Sequence, residues 1–222
     1  MHRLFYSPGA CSLAPHIVLE EIGLPYEVER VSASGLHEGE MTGKPAWKAI
    51  NPKGRVPALS GVPGRIGGQS DLLTEVSAIL FYLARCHPAA GLLPADPAAE
   101  ARCLEWMNYL SANTHAMAYG QIWRPLRFVG DEKDTPAVKA KGEQNVREQY
   151  DYIETLLADG RDWAVPGNYS IVDPYLFVFF RWGRRIGIDI ASAYPAWTKL
   201  GLRIAERPAV QRAMEQEGID LG

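Results

Sequence analysis

Apolar and polar positions change their period along this chain, and that change divides it. His2 to Ser7 is a short apolar run ended by Ser7-Pro8-Gly9, which reads as a strand entering a turn. From Ala10 to Ile22 the residues Leu13, Ile17, Val18 and Ile22 recur at helical spacing, and Gly23 and Pro25 stop that helix. Tyr26 to Val31 alternates apolar with charged residues, the pattern of a half-exposed strand. A polar, glycine-containing loop then leads to a short helix over Pro45 to Ile50. Val56-Pro57-Ala58-Leu59 opens another strand, and Asp71 to Leu73 is its returning partner. Between them Gly61 to Gln69, dense in glycine and proline, is predicted to be a loop or hairpin tip. Thr74 to Arg85 predicts a strong helix with Val76, Ile79, Leu80 and Leu83 on one side.

Strand, helix, strand, hairpin and helix make one small mixed-sheet α/β domain over residues 1–86. A linker rich in proline, alanine and glycine covers 87–97, and an all-α domain fills 98–222. Its predicted helices run from Ala98 to about Trp123, from Thr135 to Leu157, onward from Ser170-Ile171-Val172-Asp173, and over Pro195 to Glu206 and Pro208 to Glu215. A length of 222 residues suits two domains of roughly 100 residues each.

Charge and cysteine content narrow the class. The net charge of −3 is too mild to steer the chain toward nucleic acid or an acidic membrane. Cys11, Cys86 and Cys103 do not form a disulfide framework, which fits a reducing compartment. The start of the chain has no signal-peptide core, and the longest apolar stretch, Pro174 to Phe180, is too short to span a bilayer. A soluble cytoplasmic protein is expected. No metal-ligand cluster, phosphate loop or Ser/His/Asp signature stands out, so no metal is expected.

Several residues invite chemistry. Cys11 follows a Pro-Gly turn at the predicted first turn of a helix, where N–H groups and the dipole stabilise a thiolate. Ser12 is the natural second donor; a buried, inert cysteine is the plainer alternative. With Ala14 in place of a second cysteine, a mixed disulfide with a small thiol is the natural oxidised partner of Cys11. The Val56-Pro57 bond can be cis and expose backbone to a ligand, or Pro57 can sit on an edge strand. Glu75 is either a dipole-matched surface acid or a buried carboxylate that binds an ammonium group. Asn108 and His115, seven residues apart with Ser111 between, share a helix face that is turned to a ligand or to solvent. Ser170 and Asp173 match a capping box, a structural device. Trp106, Trp123, Trp163 and Trp182 can line an apolar pocket or fill the core.

These residues sit in longer stretches that resemble the bacterial beta-class glutathione transferases. The similarity lies in YSPGACSLAPHIVLEEIGLPYE, INPKGRVPAL, LLTEVSAILFYLA, LEWMNYLSANTHAMA, YSIVDPYLFVFFRWGRRIGID and IAERPAVQRAMEQEGI, in order from near residue 4 to near residue 219. The resemblance implies a thioredoxin-like domain followed by an all-helical domain, as a homodimer. It implies glutathione as co-substrate and a small apolar electrophile. Cys11 would contact the glutathione sulfur, with Ser12 and His115 as further catalytic candidates. Val56 and a cis Pro57 would bind the cysteinyl part. Glu75 would receive the γ-glutamyl ammonium, and Asn108 would face the site. Trp182, with Trp123, would border the second-substrate pocket, and Tyr6 matches a strand tyrosine that is not the main thiolate stabiliser. Val76 departs from the Ser or Gly common there and leaves only its N–H for the γ-glutamyl carboxylate. Ala116 stands where lysine is common, and the hairpin between Leu59 and Leu73 is longer than usual.

Conjugation of the glutathione thiolate to an electrophile is the activity this implies. Two alternatives stand beside it: thiol-disulfide exchange or reductive dehalogenation through a Cys11 mixed disulfide, and a non-catalytic ligand-binding protein of the same fold.

Overall fold

A computed structural model describes residues 1–33, 41–66 and 69–222. Four strands form one sheet in the order β2-β1-β3-β4: β1 His2–Tyr6, β2 Tyr26–Arg30, β3 Ala58–Ile66 and β4 Gln69–Thr74. β1 pairs parallel with β2, Leu4 opposite Val28, and antiparallel with β3, Leu4 opposite Leu59. Helix α1 (Leu13–Ile22) makes the crossover from β1 to β2, α2 (Pro45–Ile50) lies between β2 and β3, and α3 (Val76–Cys86) follows the hairpin. Alternation along β1 sends Leu4 and Tyr6 into the main core, and Phe5 into a smaller cluster with Val31, Trp47, Val56 and Ala58.

The hairpin corrects the sequence reading. β3 continues through the glycine-rich stretch as far as Ile66, and β4 begins at Gln69, so only residues 67–68 of the expected loop lie outside the described residues. The ladder shifts register between Ser60 and Arg65. Gly61 permits this irregularity: its φ is +76°, and a β-carbon there would stand 2.8 Å from the Met1 carbonyl oxygen. The polar loop expected after β2 falls largely at 34–40, outside the described residues.

In helix α1 the sequence marked Leu13, Ile17, Val18 and Ile22 at helical spacing. In the structure every residue from Leu13 to Leu19 is buried, because α1 packs on α3 of its own domain and on two helices of the second domain.

The second domain opens with α4 (Pro97–Tyr109), whose first turn is capped by the Asp96 carboxylate accepting from Ala99 N–H at 2.8 Å. The predicted continuous α-helix changes character at Leu110. Leu110–Tyr119 winds as a π-helix, with Gly120 N–H donating to His115 O, before α5 (Gly120–Trp123) resumes. Then come α6 (Thr135–Leu157), α7 (Val172–Arg185), the short α8 (Ile190–Ala193), which the sequence reading lacked, α9 (Pro195–Ala205) and α10 (Pro208–Glu217). α7 is the axis of the domain and is buried from Val172 through Gly183. Burying each of its phenylalanines contributes about 1.5–3 kcal/mol. Ser170 and Asp173 act as expected at its start: the Asp173 carboxylate accepts from Ser170 N–H and Ala164 N–H, both at 2.8 Å. Among the described residues no helix is long and apolar enough to cross a membrane.

Candidate functional site

Strand β1 ends at a tight turn that delivers Cys11 just ahead of α1. Its thiol is buried and donates to the carbonyl of Val56 at 3.6 Å, and the Val56-Pro57 peptide is cis. Burial pushes the Cys11 thiol up to about 12, while the backbone N–H groups of Cys11 and Ser12 pull the other way. The expectation of a lowered pKa is thereby corrected: the helix-end donors are present, and desolvation outweighs them. Ser12 is corrected too. Its side chain accepts from Ser7 N–H at 3.0 Å and donates to Ser7 O at 3.1 Å, so it stitches the turn, and only its backbone N–H faces the sulfur.

The turn itself is held by the second domain. Gly9, at φ +66°, donates its N–H to the Glu217 carboxylate at 2.7 Å and accepts from the Trp182 indole N–H at 2.8 Å. The other Glu217 oxygen meets His16 Nδ1 at 2.9 Å, and both side chains are fully buried. Trp182 was expected to border the second-substrate pocket. Its buried ring instead packs against His115, Tyr119, Trp123 and Phe179, and its one donor is committed to Gly9. Trp123 is half-buried at the edge of that stack and can still line a pocket. Trp106 is core, and Trp163 lies under Arg203 and Arg207. Tyr6 is buried with its ring against His16.

Glu75 starts α3 with φ 75°, a conformation that costs about 1–3 kcal/mol in a non-glycine residue. The reading of Glu75 as a buried carboxylate is corrected: its side chain is 67% exposed and carries the Lys53 ammonium at 2.6 Å. It does bind an ammonium group, at the surface. Val76, at the first turn of α3, is buried.

Asn108 and His115 part company. The amide of Asn108 is exposed and donates back to Leu104 O at 3.0 Å. The wider π turns break the stripe assumed from α geometry, and His115 instead turns in to the Tyr175 hydroxyl, 3.4 Å from its Nδ1. Burial, and then the charges of Arg55 and Arg127, lower the His115 pKa to about 4, so the ring is neutral at physiological pH. Ala116, next along the π-helix, is exposed.

Comparison with known proteins fits this arrangement. Residues 9–86 match the family model for the glutathione S-transferase N-terminal domain, and residues 112–208 match that for the C-terminal domain. The chain is 33% identical to glutathione S-transferase GstA of Escherichia coli O157:H7, across 98% of this chain and 99% of that one. The chain belongs to the glutathione S-transferase family. A glutathione transferase homologue from Sulfitobacter, solved with bound glutathione, matches with a TM-score of 0.85 at 33% identity over 99% of each chain. A bacterial beta-class glutathione S-transferase from Sphingomonas chungbukensis matches with a TM-score of 0.78 at 32% identity, over 98% of this chain and 100% of that one. The protein is an enzyme, a glutathione S-transferase with the thioredoxin-like and helical architecture that the sequence implied. The disulfide-exchange, dehalogenase and non-catalytic readings are not favoured.

Sequence reasoning missed part of the transferase's site. Tyr175 is buried, and burial followed by the neighbouring Cys11 raises its pKa. Its hydroxyl lies 3.3 Å from Ser111 Oγ, which lies 2.8 Å from Ser77 Oγ of α3. A line of hydroxyls therefore joins the two domains behind Cys11. Ser111 had been singled out, but Tyr175 sat unmarked in the most apolar run of the chain. Among the described residues no group of three or more His, Cys, Asp or Glu is placed to hold a metal ion.

Proposed function

We propose that this transferase binds glutathione across the starts of α1 and α3, with the glutathione sulfur beside Cys11. The observation that carries this reading is the meeting, at one point, of the Cys11 sulfur, the Val56 carbonyl, and the N–H groups of Cys11 and Ser12. Helix-end N–H groups favour negative charge, and a thiolate, not a thiol, attacks electrophiles. Cys11 keeps its own proton, so its S–H serves the bound thiolate as a donor. The Val76 N–H, at the N-terminus of α3, suits the γ-glutamyl carboxylate. Glu75 takes the γ-glutamyl ammonium in exchange for Lys53. His115 and Trp123 border the place of the electrophile, and Asn108 lies at the rim.

The same reading makes the enzyme a beta-class, cytoplasmic homodimer that detoxifies small apolar electrophiles. The likeness to the beta-class structure and the three free cysteines support it.

Calorimetry of glutathione with wild type and Cys11→Ala, under reducing conditions, tests the site. Binding near the millimolar level or tighter is expected for wild type, with weaker binding for the variant. No heat with either protein overturns the reading.

A further inference from the structure

Four contacts run in a line from α3 to the π-helix. Ser77 Oγ donates to the Met107 carbonyl at 3.2 Å and lies 2.8 Å from Ser111 Oγ. Ser111 Oγ lies 3.3 Å from the Tyr175 hydroxyl, which lies 3.4 Å from His115 Nδ1. The π winding gathers these partners. Ser111, His115 and Tyr119 recur every four residues along Leu110–Tyr119 and all meet α7, the first two at Tyr175 and the third at Phe179 and Trp182.

Each hydroxyl has one hydrogen to give, and a carbonyl oxygen has none. Met107 O therefore ends the line as an acceptor and takes the Ser77 hydrogen. The Ser77–Ser111 contact then carries the Ser111 hydrogen, and the Ser111–Tyr175 contact carries the Tyr175 hydrogen. Only a hydrogen on His115 Nδ1 is left for the last contact. With the ring proton on Nε2 instead, three hydrogens serve four contacts, and one pair meets lone pair to lone pair. Because His115 is neutral at physiological pH, a proton on Nδ1 leaves Nε2 bare. Among the described residues nothing pairs with Nε2. The buried side-chain atoms that lack a partner there belong to Trp47, Thr114, Tyr169 and Trp197, so Nε2 of the half-buried ring is open to the cleft. The ring centroid lies 5.2 Å from that of Trp182, which packs on Trp123 and holds the Gly9 turn.

Resting on the transferase reading above, we propose that Ser77, Ser111 and Tyr175 are positioning residues that hold His115 as its Nδ1–H tautomer, so that the Nε2 lone pair selects electrophiles carrying an O–H or N–H donor. Hydroxyl-bearing enals are the simplest such substrates. A sulfur lone pair of the glutathione thiolate forms the C–S bond at the β-carbon, the π electrons of the C=C bond move toward the carbonyl, and the enolate takes a proton from water.

The test has two readouts, on wild type, Tyr175→Phe and Ser77→Ala. Nitrogen-15 NMR of histidine-labelled protein reads the His115 ring without any substrate. Wild type is expected to show a protonated Nδ1 and a bare Nε2, and each variant a mixture of the two tautomers, with Ser77→Thr restoring the wild-type pattern. Initial rates with 4-hydroxynon-2-enal and its 4-O-methyl ether read the selection. After division by the uncatalysed rates, wild type is expected to favour the alcohol over the ether about fivefold in kcat/KM, the worth of one neutral hydrogen bond. Each variant is expected to lose most of that preference. A wild-type ring protonated on Nε2, or an unmixed tautomer in both variants, overturns the proposal. An equal loss for alcohol and ether also overturns it and leaves the hydroxyl line as structural support alone, and so does the absence of a preference in wild type. Absence of glutathione-dependent turnover with either compound is a separate outcome, which overturns the transferase reading of the site, while the NMR still decides the tautomer.

Discussion

The indole N–H of Trp182 donates to the carbonyl of Gly9 across 2.8 Å, so the central helix of the second domain fixes the turn that presents Cys11. Trp182→Phe keeps a ring in the stack and removes the donor, leaving a buried carbonyl unpaired. A loss of about 1–3 kcal/mol in unfolding free energy is expected, with a severalfold rise in the KM for glutathione. Urea denaturation and initial-rate kinetics check both. An unchanged midpoint with an unchanged KM would show that the bond does not hold the turn.

Cysteine reactivity separates the three thiols. Cys86 is exposed, whereas Cys11 and Cys103 are buried, and burial lifts their pKa values to about 12 and about 11. Iodoacetamide at pH 7.5 is therefore expected to alkylate Cys86 at least tenfold faster than either of the others. Peptide mass spectrometry reads the order. Early labelling of Cys11 would contradict its role as a protonated donor.

Two titrating groups, the half-buried His115 and the buried Asp173, give opposite slopes with pH. The folded pKa of His115, about 4, lies below its ordinary 6.5. Between those values the unfolded chain takes up a proton that the folded chain refuses, so stability falls as pH drops through this window. Asp173 is raised from 3.8 to about 6, chiefly by burial. Its contribution is full below 3.8 and is lost as pH rises through 6. His115→Gln is expected to lose less stability than wild type between pH 7 and pH 5, by up to about 2 kcal/mol. Urea titrations at the two pH values measure this, and the imidazole NMR signals of His115 should stay fixed from pH 8 to 5.5. A His115 that titrates near 6.5 would refute the assignment.

Much of the fold was legible because periodicity survives where one face is buried. α2 and α6 have the limits that the pattern gave, and the apolar run at His2 to Ser7 is a strand, β1. The hairpin was misread because glycine signals a turn and a bulged strand alike, as Gly61 shows. At the site, Cys11 and Val56, which the family resemblance assigned to one ligand, lie side by side in the structure. The sequence could not show that the Ser12 hydroxyl is spent on Ser7, because local hydrogen bonding depends on the turn geometry. Nor could it join Gly9 to Glu217, 208 positions away, or announce a π turn that carries no residue signature.

Helix α1 has no solvent-facing stripe to spare over Leu13–Leu19. It is therefore common property of the two halves rather than part of one. Cutting the chain after Cys86 would strip cover from the very helix that frames the sulfur site, and the freed half would present apolar surface to water. Loss of order in either half strips cover from this helix, so the two halves are expected to melt together. A lineage that exchanged the helical half for another would have to match that one helix before anything else.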